Sequence, residues 1–296
     1  MIKFAMIFPG QGNQDIRIIK KLYNNYSIIK KTFDKASEYL KYNIKEKIFK
    51  KKINNTVTSQ IEILIISIAL FNLWKEIIGI NPKIMTGHSL GQYSVYVCSK
   101  ILKFSDAIKI VKYREKIMKK KQGCMNVIIG LKKKNIIKIC KNFLLKKKIS
   151  IACINSKKQI IITGKKKYVY QASLKLKKFG AKYIIDLPIK TISHCSSIKK
   201  IKNLLLKKCQ NISFNNPKFL ILDSVKIKFI NNSIKIKNYL INQLCHTIQW
   251  KKTIDFILLN NIKYFLEINS SNILNKLNQN KINYFPLNIK NIFNLK

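Results

Sequence analysis

Apolar positions along this chain fall into short blocks whose lengths and stops separate strands from helices. The run Phe4-Ala5-Met6-Ile7-Phe8 is unbroken and ends at Pro9-Gly10, which predicts a fully buried strand. Residues 61–78 have helical length and few polar members, among them Glu62, Asn72, Lys75 and Glu76. They predict a largely buried helix, ended by Gly79 and Pro82. Residues 83–86 predict a second short strand and residues 90–99 a helix behind it.

Between residues 125 and 187 the pattern becomes regular. Strands are predicted at 126–129, 149–154, 159–163 and 182–187, with helices at 132–145 and 165–179. Asn155-Ser156-Lys157-Lys158 supplies the turn between the middle two strands. The order βαββαβ is that of a ferredoxin-like unit, bounded by Gly123 and Pro188, and it interrupts a larger α/β unit. Beyond it, helices are predicted at 196–208, 235–244 and 250–260, and strands at 219–222 and 263–268. The last twenty residues are rich in Asn and Lys and carry no assignable period.

The chain has 296 residues, enough for one large domain or two, and 47% of them are hydrophobic, so a packed core is expected. No apolar run approaches the roughly 18–20 residues that span a bilayer, and the first strand opens without a cleavable signal pattern. A cytoplasmic location and no membrane partner are therefore expected. The net charge of +47 comes from 59 basic against 12 acidic residues, of which only Arg17 and Arg114 are Arg. Three explanations compete: an AT-rich codon bias, since Lys, Ile and Asn make up about half the chain; nucleic-acid binding; or an acidic protein partner. The lysines are spread along the whole length and base-reading Arg is almost absent, which favours compositional drift over nucleic acid. Seven cysteines without a C-x-x-C pair fit free thiols in a reducing compartment. The histidines, at 88, 194 and 246, are too dispersed for a metal site, and no metal is expected.

Four of the nine glycines sit in two clusters. Gly87-His88-Ser89-Leu90-Gly91 matches G-x-S-x-G between a predicted strand and a predicted helix, the setting of a nucleophile elbow. The helix start behind Ser89 offers free N–H groups to an oxyanion. Gly10-Gln11-Gly12-Asn13-Gln14 follows the first strand at its carboxyl end, where open α/β sheets place ligands, and could present a second N–H donor. The alternative is a plain β-to-α turn. A serine nucleophile needs a base. His88 adjoins Ser89 and should point away, which leaves His194, favoured, and His246. No carboxylate stands at a recognisable triad position, so a Ser–His dyad oriented by a backbone carbonyl is expected. Arg114 survives in a chain that has otherwise turned to Lys. Its flat fork suits a substrate carboxylate, against the alternative of an ordinary helix-surface Arg.

Together these segments resemble the malonyl-CoA:acyl carrier protein transacylases, bacterial enzymes that charge a carrier protein for fatty acid synthesis. The strong matches are Phe8-Pro9-Gly10-Gln11-Gly12-Asn13-Gln14, Gly87-His88-Ser89-Leu90-Gly91-Gln92-Tyr93-Ser94 and Ser193-His194-Cys195. Weaker ones are Ser59-Gln60, Arg114, Asn155-Ser156 before Gln159, and Gln243-Leu244 with Ile248-Gln249-Trp250, in order over nearly the whole chain. The resemblance implies an α/β-hydrolase-like large subdomain with a parallel sheet, residues 1–123 and 189–296, and an inserted ferredoxin-like small subdomain at 124–188. It implies a ping-pong transfer from malonyl-CoA to acyl carrier protein by a monomer, with the coenzyme A thioester as substrate and no cofactor. In it Ser89 is the nucleophile and His194 the base, with the N–H groups of Gln11 and Leu90 as oxyanion donors. Arg114 holds the malonyl carboxylate, Gln249 orients His194 through its carbonyl, and Gln60 lies in the acyl pocket, with Gly10, Gly12, Gly87 and Gly91 shaping the turns.

The chain departs from the family at Gln92, where Glu is usual, at Ile192, where Pro is common, at Asp223-Ser224, where paired Asn stand, and at Asn269-Ser270-Ser271, where the family has Gly-Pro-Gly. None of these removes a catalytic group. Two other functions compete: a serine hydrolase or thioesterase using the same elbow, and a catalytically idle basic binding protein. Arg114 and the inserted unit argue against the first, and the intact Ser89, His194 and Arg114 against the second.

Overall fold

The computed structural model describes residues 2–12, 14–50, 59–278, 281–289 and 293. Asn13 and the last residues of the tail thus lie outside the described residues. Strand β1 (Phe4–Phe8) is buried at every position, as its unbroken apolar run requires. It is followed by α1 (Ile16–Asn25), α2 (Ser27–Leu40), α3 (Ile44–Phe49) and α4 (Gln60–Ile77). The start of α4 is fixed by a capping box in which Ser59 and Glu62 satisfy each other's backbone N–H groups. Almost every side chain of α4 from Gln60 to Trp74 is buried, because α2, α5 and α6 surround it. Next come β2 (Ile84–Gly87), α5 (Gly91–Cys98) and α6 (Phe104–Met118).

The inserted unit comprises β3 (Cys124–Ile129), α7 (Lys133–Ile139), α8 (Lys141–Leu145), β4 (Ile149–Ile154), β5 (Gln159–Gly164), α9 (Lys166–Lys178) and β6 (Tyr183–Asp186). Its strands pair in the order β4-β5-β3-β6, every neighbour antiparallel, as a ferredoxin-like unit should. The single helix expected at 132–145 is two helices, α7 and α8, broken at the buried Cys140. Helix α8 buries no residue fully, and only Phe143 and Leu144 pack partly against the core of the small unit.

The chain then returns through α10 (Lys199–Lys208), β7 (Leu220–Leu222), β8 (Phe229–Ile230), α11 (Ser233–Asn242), α12 (Trp250–Leu259), β9 (Tyr264–Glu267), α13 (Ile273–Asn278) and β10 (Phe285–Asn288). The large sheet runs β10-β9-β1-β2-β7-β8 and is parallel except for the β7–β8 pair at one edge. Strand β1 lies between β2 and β9, so the loops leaving β1 and β2 emerge side by side at the carboxyl edge of the sheet.

Two joints hold the small unit on the large one. Its entry and exit strands pair across Gln122 and Thr191, with Gly123 N donating to Lys190 O at 3.1 Å. Strand β4 also bonds the segment ahead of α12, where Ile248 N donates to Ala152 O and Ile154 N to Ile248 O, both at 2.9 Å. One apolar cluster runs through both parts, packing Ala5 and Ile7 with Val127, Ile161, Trp250 and Ile254. The site described next lies in the cleft between them.

Candidate active site

Ser89 stands on the sharp turn between β2 and α5, with φ at +53°. A side chain in this left-handed region costs about 1–3 kcal/mol, and such strain persists only where the surroundings enforce it. The enforcement is visible in the packing. A Cβ on Gly91 would stand 2.2 Å from Phe8 O, and one on Gly87 2.1 Å from Gln92 N, so both positions require glycine. Gln92 supports the turn from inside the helix, its Oε1 accepting from Gly87 N at 3.0 Å. The turn is thereby clamped against the end of β1, where Pro9, Gly10 and Gln11 follow.

Ser89 Oγ lies 2.7 Å from His194 Nε2. On the far side of the ring, Nδ1 lies 2.9 Å from the main-chain oxygen of Gln243. A carbonyl only accepts, so Nδ1 carries the proton and Nε2 is left to accept from the Ser89 hydroxyl. His194 is buried, and desolvation holds its pKa down to about 3. The ring is therefore neutral. Its backbone, like that of Ser89, is left-handed, with φ at +57°.

Neither of the other histidines is bonded to Ser89, although His88 lines the same cavity. His246 is exposed, with Nδ1 2.7 Å from Asn242 O. His88 points away from Ser89: its Nε2 meets Asn155 Oδ1 at 3.0 Å, and its ring packs edge-on to Trp250 with centroids 5.3 Å apart.

Arg114, on α6, is buried with 2% of its surface exposed. Its Nη1 donates to Gln60 Oε1, and its guanidinium carbon lies 5.7 Å from the Tyr93 ring centroid. No carboxylate of the described residues forms an ion pair with it, and its Nε has no hydrogen-bond partner. Burial without a counter-ion lowers its pKa from the ordinary arginine value. The only other arginine, Arg17, is exposed on α1 and bonded to Asp15.

These groups meet in one cavity of about 70 Å³, lined by Gln11, Gln60, Ser89, Leu90, Arg114 and His194 among others. Leu90 stands at the start of α5, where N–H groups have no intrahelical acceptor. Gln11, Gln60 and Met118 also line a wider cleft of about 960 Å³, whose walls include Lys119, Lys165, Lys166 and Lys190. Among the described residues no cluster of His, Cys, Asp or Glu could hold a metal ion.

The profile of the acyl transferase domain matches residues 5–280. The chain belongs to the acyl transferase family. It is 41% identical to a malonyl CoA-acyl carrier protein transacylase of Buchnera aphidicola subsp. Schizaphis graminum, over 99% of this chain and 97% of that protein. The malonyl CoA-acyl carrier protein transacylase of Coxiella burnetii superposes with a TM-score of 0.91 at 30% identity, covering 97% of this chain and 94% of that one. A malonyl-transacylase solved in complex with a type II PKS acyl-carrier protein gives a TM-score of 0.90 at 31% identity, covering 96% and 94%.

In this acyl transferase Gln249 does not orient His194. Its carbonyl accepts from Thr253 N at 2.9 Å as part of the first turn of α12, and its N–H donates to Ser224 O at 2.8 Å. The orienting carbonyl is that of Gln243, six residues earlier. A main-chain oxygen leaves no mark in residue type, so Gln243 was visible only as part of a matching segment. Met118, Met125 and Cys153 also line the cavity, and no motif in the sequence marks them. At Gly10 a Cβ would stand 2.8 Å from the main-chain oxygen of His88, whereas at Gly12 it would meet only the movable Cδ1 of Ile273 at 2.9 Å.

Proposed function

We propose that this acyl transferase moves the malonyl group of malonyl-CoA to the phosphopantetheine thiol of an acyl carrier protein, supplying fatty acid synthesis. The observation that carries the proposal is Arg114: a buried guanidinium beside Ser89, with no carboxylate partner among the described residues. A buried unpaired charge is costly, and an acyl group ending in a carboxylate supplies the missing partner. Acetyl groups lack it. The names of the relatives above support the same reaction.

The chemistry follows from the hydrogen bonds. His194 Nε2 takes the Ser89 proton as Oγ attacks the thioester carbonyl. The N–H groups of Gln11 and Leu90 receive the oxyanion of the tetrahedral intermediate. Collapse expels the coenzyme A sulfur, which takes the proton back from Nε2 and leaves malonyl-Ser89. The pantetheine thiol then gives its proton to Nε2 and attacks the ester carbonyl; collapse forms the malonyl thioester and expels Ser89 Oγ, which takes that proton back from Nε2. Gln60 steadies the Arg114 fork within the acyl pocket.

Lys119, Lys165, Lys166 and Lys190 give the wider cleft the charge that anionic coenzyme A and an acidic carrier protein require. The reaction is assigned to the cytoplasm. The seven cysteines, all free, fit a reducing compartment. The test is transfer itself: purified chain, malonyl-CoA and holo carrier protein should yield malonyl carrier protein by mass spectrometry. A carrier protein that stays unmodified, with coenzyme A released only by hydrolysis, would favour the hydrolase instead.

A further inference from the structure

The segment Asn269-Ser270-Ser271 follows β9 at one of the places where the sequence departs from the family pattern, and all three residues use their side chains. Asn269 Oδ1 accepts from Ser270 N at 2.8 Å, while its Nδ2 donates to Ser271 Oγ at 2.9 Å and to Glu267 Oε1 at 3.3 Å. Glu267 is anchored in turn, with Oε2 accepting from Asn275 N at 2.8 Å. Asn269, Ser270 and Glu267 are each 1% exposed or less. Hydrogen bonds thus hold this turn without a proline.

Ser270 then reaches across to the loop behind β1. Its hydroxyl donates to Gln14 Oε1 at 3.1 Å and accepts from Asp15 N at 2.8 Å, both more than 250 residues away in sequence. Gln14 is itself buried, and Asp15 caps α1 by accepting from Arg17 N. The near end of the same loop is fixed by Gly10 against the His88 carbonyl. Between these two anchors lies Gln11, on the wall of the Ser89 cavity.

We infer that Ser270 is a positioning residue for the oxyanion site: its hydroxyl fixes the far end of the loop and so aims the Gln11 N–H at the reacting carbonyl. This rests on the transferase reading above. An oxyanion donor acts only on the transition state, so a donor slightly out of line slows acylation without weakening binding of malonyl-CoA. Ser270 touches no substrate and acts only through Gln11.

The experiment is single-turnover malonylation of Ser89, followed by intact mass against malonyl-CoA concentration. Ser270→Ala should lower the limiting rate about tenfold and leave the half-saturating concentration within about twofold. Ser270→Thr, which keeps the hydroxyl, should recover most of that loss. The decisive arm repeats Ser270→Ala in a Gln11→Pro background, which has no N–H to aim. There it should cost nothing further. An unchanged rate for Ser270→Ala would overturn the proposal, as would an equal loss in both backgrounds, which would mark Ser270 as merely structural. Circular dichroism melts of each variant confine the comparison to folded protein; should Gln11→Pro not fold, Gln14→Leu, which removes the acceptor of the Ser270 hydroxyl, must reproduce the rate loss of Ser270→Ala or the proposal fails. Failure of the transferase reading looks different: the unsubstituted chain itself would take up no malonyl group, and both ideas would fall together.

Discussion

His194 Nδ1 donates to the main-chain oxygen of Gln243, 2.9 Å away and inside the protein. This one contact fixes both the tautomer and the direction of the ring, and leaves Nε2 facing Ser89 at 2.7 Å. A carbonyl, unlike an aspartate, brings no full negative charge to raise the basicity of the imidazole. Desolvation therefore wins, with the charge of Arg114 adding to it, and the pKa falls from 6.5 to about 3.

Two pH effects follow, in opposite parts of the scale. If His194 is the base, as proposed, its competent form is the neutral ring, which persists at every pH above the folded value. Acylation of Ser89 should thus be flat from about pH 8 to about pH 5, through the region where an exposed histidine titrates. Stability behaves otherwise. Between 6.5 and about 3 the unfolded chain binds a proton that folded His194 does not, so stability falls as the pH drops through that window. Single-turnover acylation and chemical denaturation, each measured across the range, check both. An acid limb in the rate centred near 6.5 would contradict the buried-base account.

Arg114 gives a prediction in which activity and stability part. A buried charge is costly to desolvate, and Arg114 has no carboxylate ion-pair partner among the described residues that its removal would strand. Arg114→Met should hold or raise the melting temperature while malonyl transfer falls about a hundredfold and acetyl transfer gains relative to it. Thermal melts and competition between malonyl-CoA and acetyl-CoA measure the two effects. A destabilised variant that still prefers malonyl would make Arg114 a structural residue.

The elbow tolerates no added methyl at Gly91, whose Cβ would meet the backbone of Phe8 at 2.2 Å. Backbone cannot yield as a side chain can, so Gly91→Ala should cost about 3 kcal/mol or more and separate β1 from α5. Gly180→Ala is the control. It carries only the strain of a left-handed backbone, with φ at +91° and nothing within 4 Å of the new Cβ. Denaturation midpoints that fall equally for both would refute the close-packing argument.

What could be read from the sequence was whatever depends on side-chain type. The run at 4–8 gave β1, the apolar stretch at 61–78 gave α4, and the inserted βαββαβ order matches the small sheet strand for strand. The glycines at 87 and 91 marked a close approach because nothing larger fits. Elements built on the Lys-Ile-Asn background were hidden by it. The stripe Ile18, Ile19 and Leu22 that buries α1 is real, but isoleucines and lysines alternate at similar spacing almost everywhere. Strand β10 carries Pro286 at the sheet edge and is too short to show a period. The oxygen that orients His194 belongs to the main chain, so matching segments pointed to Gln249 where the fold uses Gln243. At the departure Asn269-Ser270-Ser271 the sequence shows only which residues differ, and the structure shows that their side chains form a hydrogen-bonded network.

The most direct test of the central claim is the intact mass of the chain after brief exposure to malonyl-CoA without carrier protein, with the modified peptide mapped. The account predicts one malonyl group per chain, located on Ser89, removed by holo carrier protein and absent from Ser89→Ala. No adduct on the unsubstituted chain, or an adduct that survives Ser89→Ala, would contradict it.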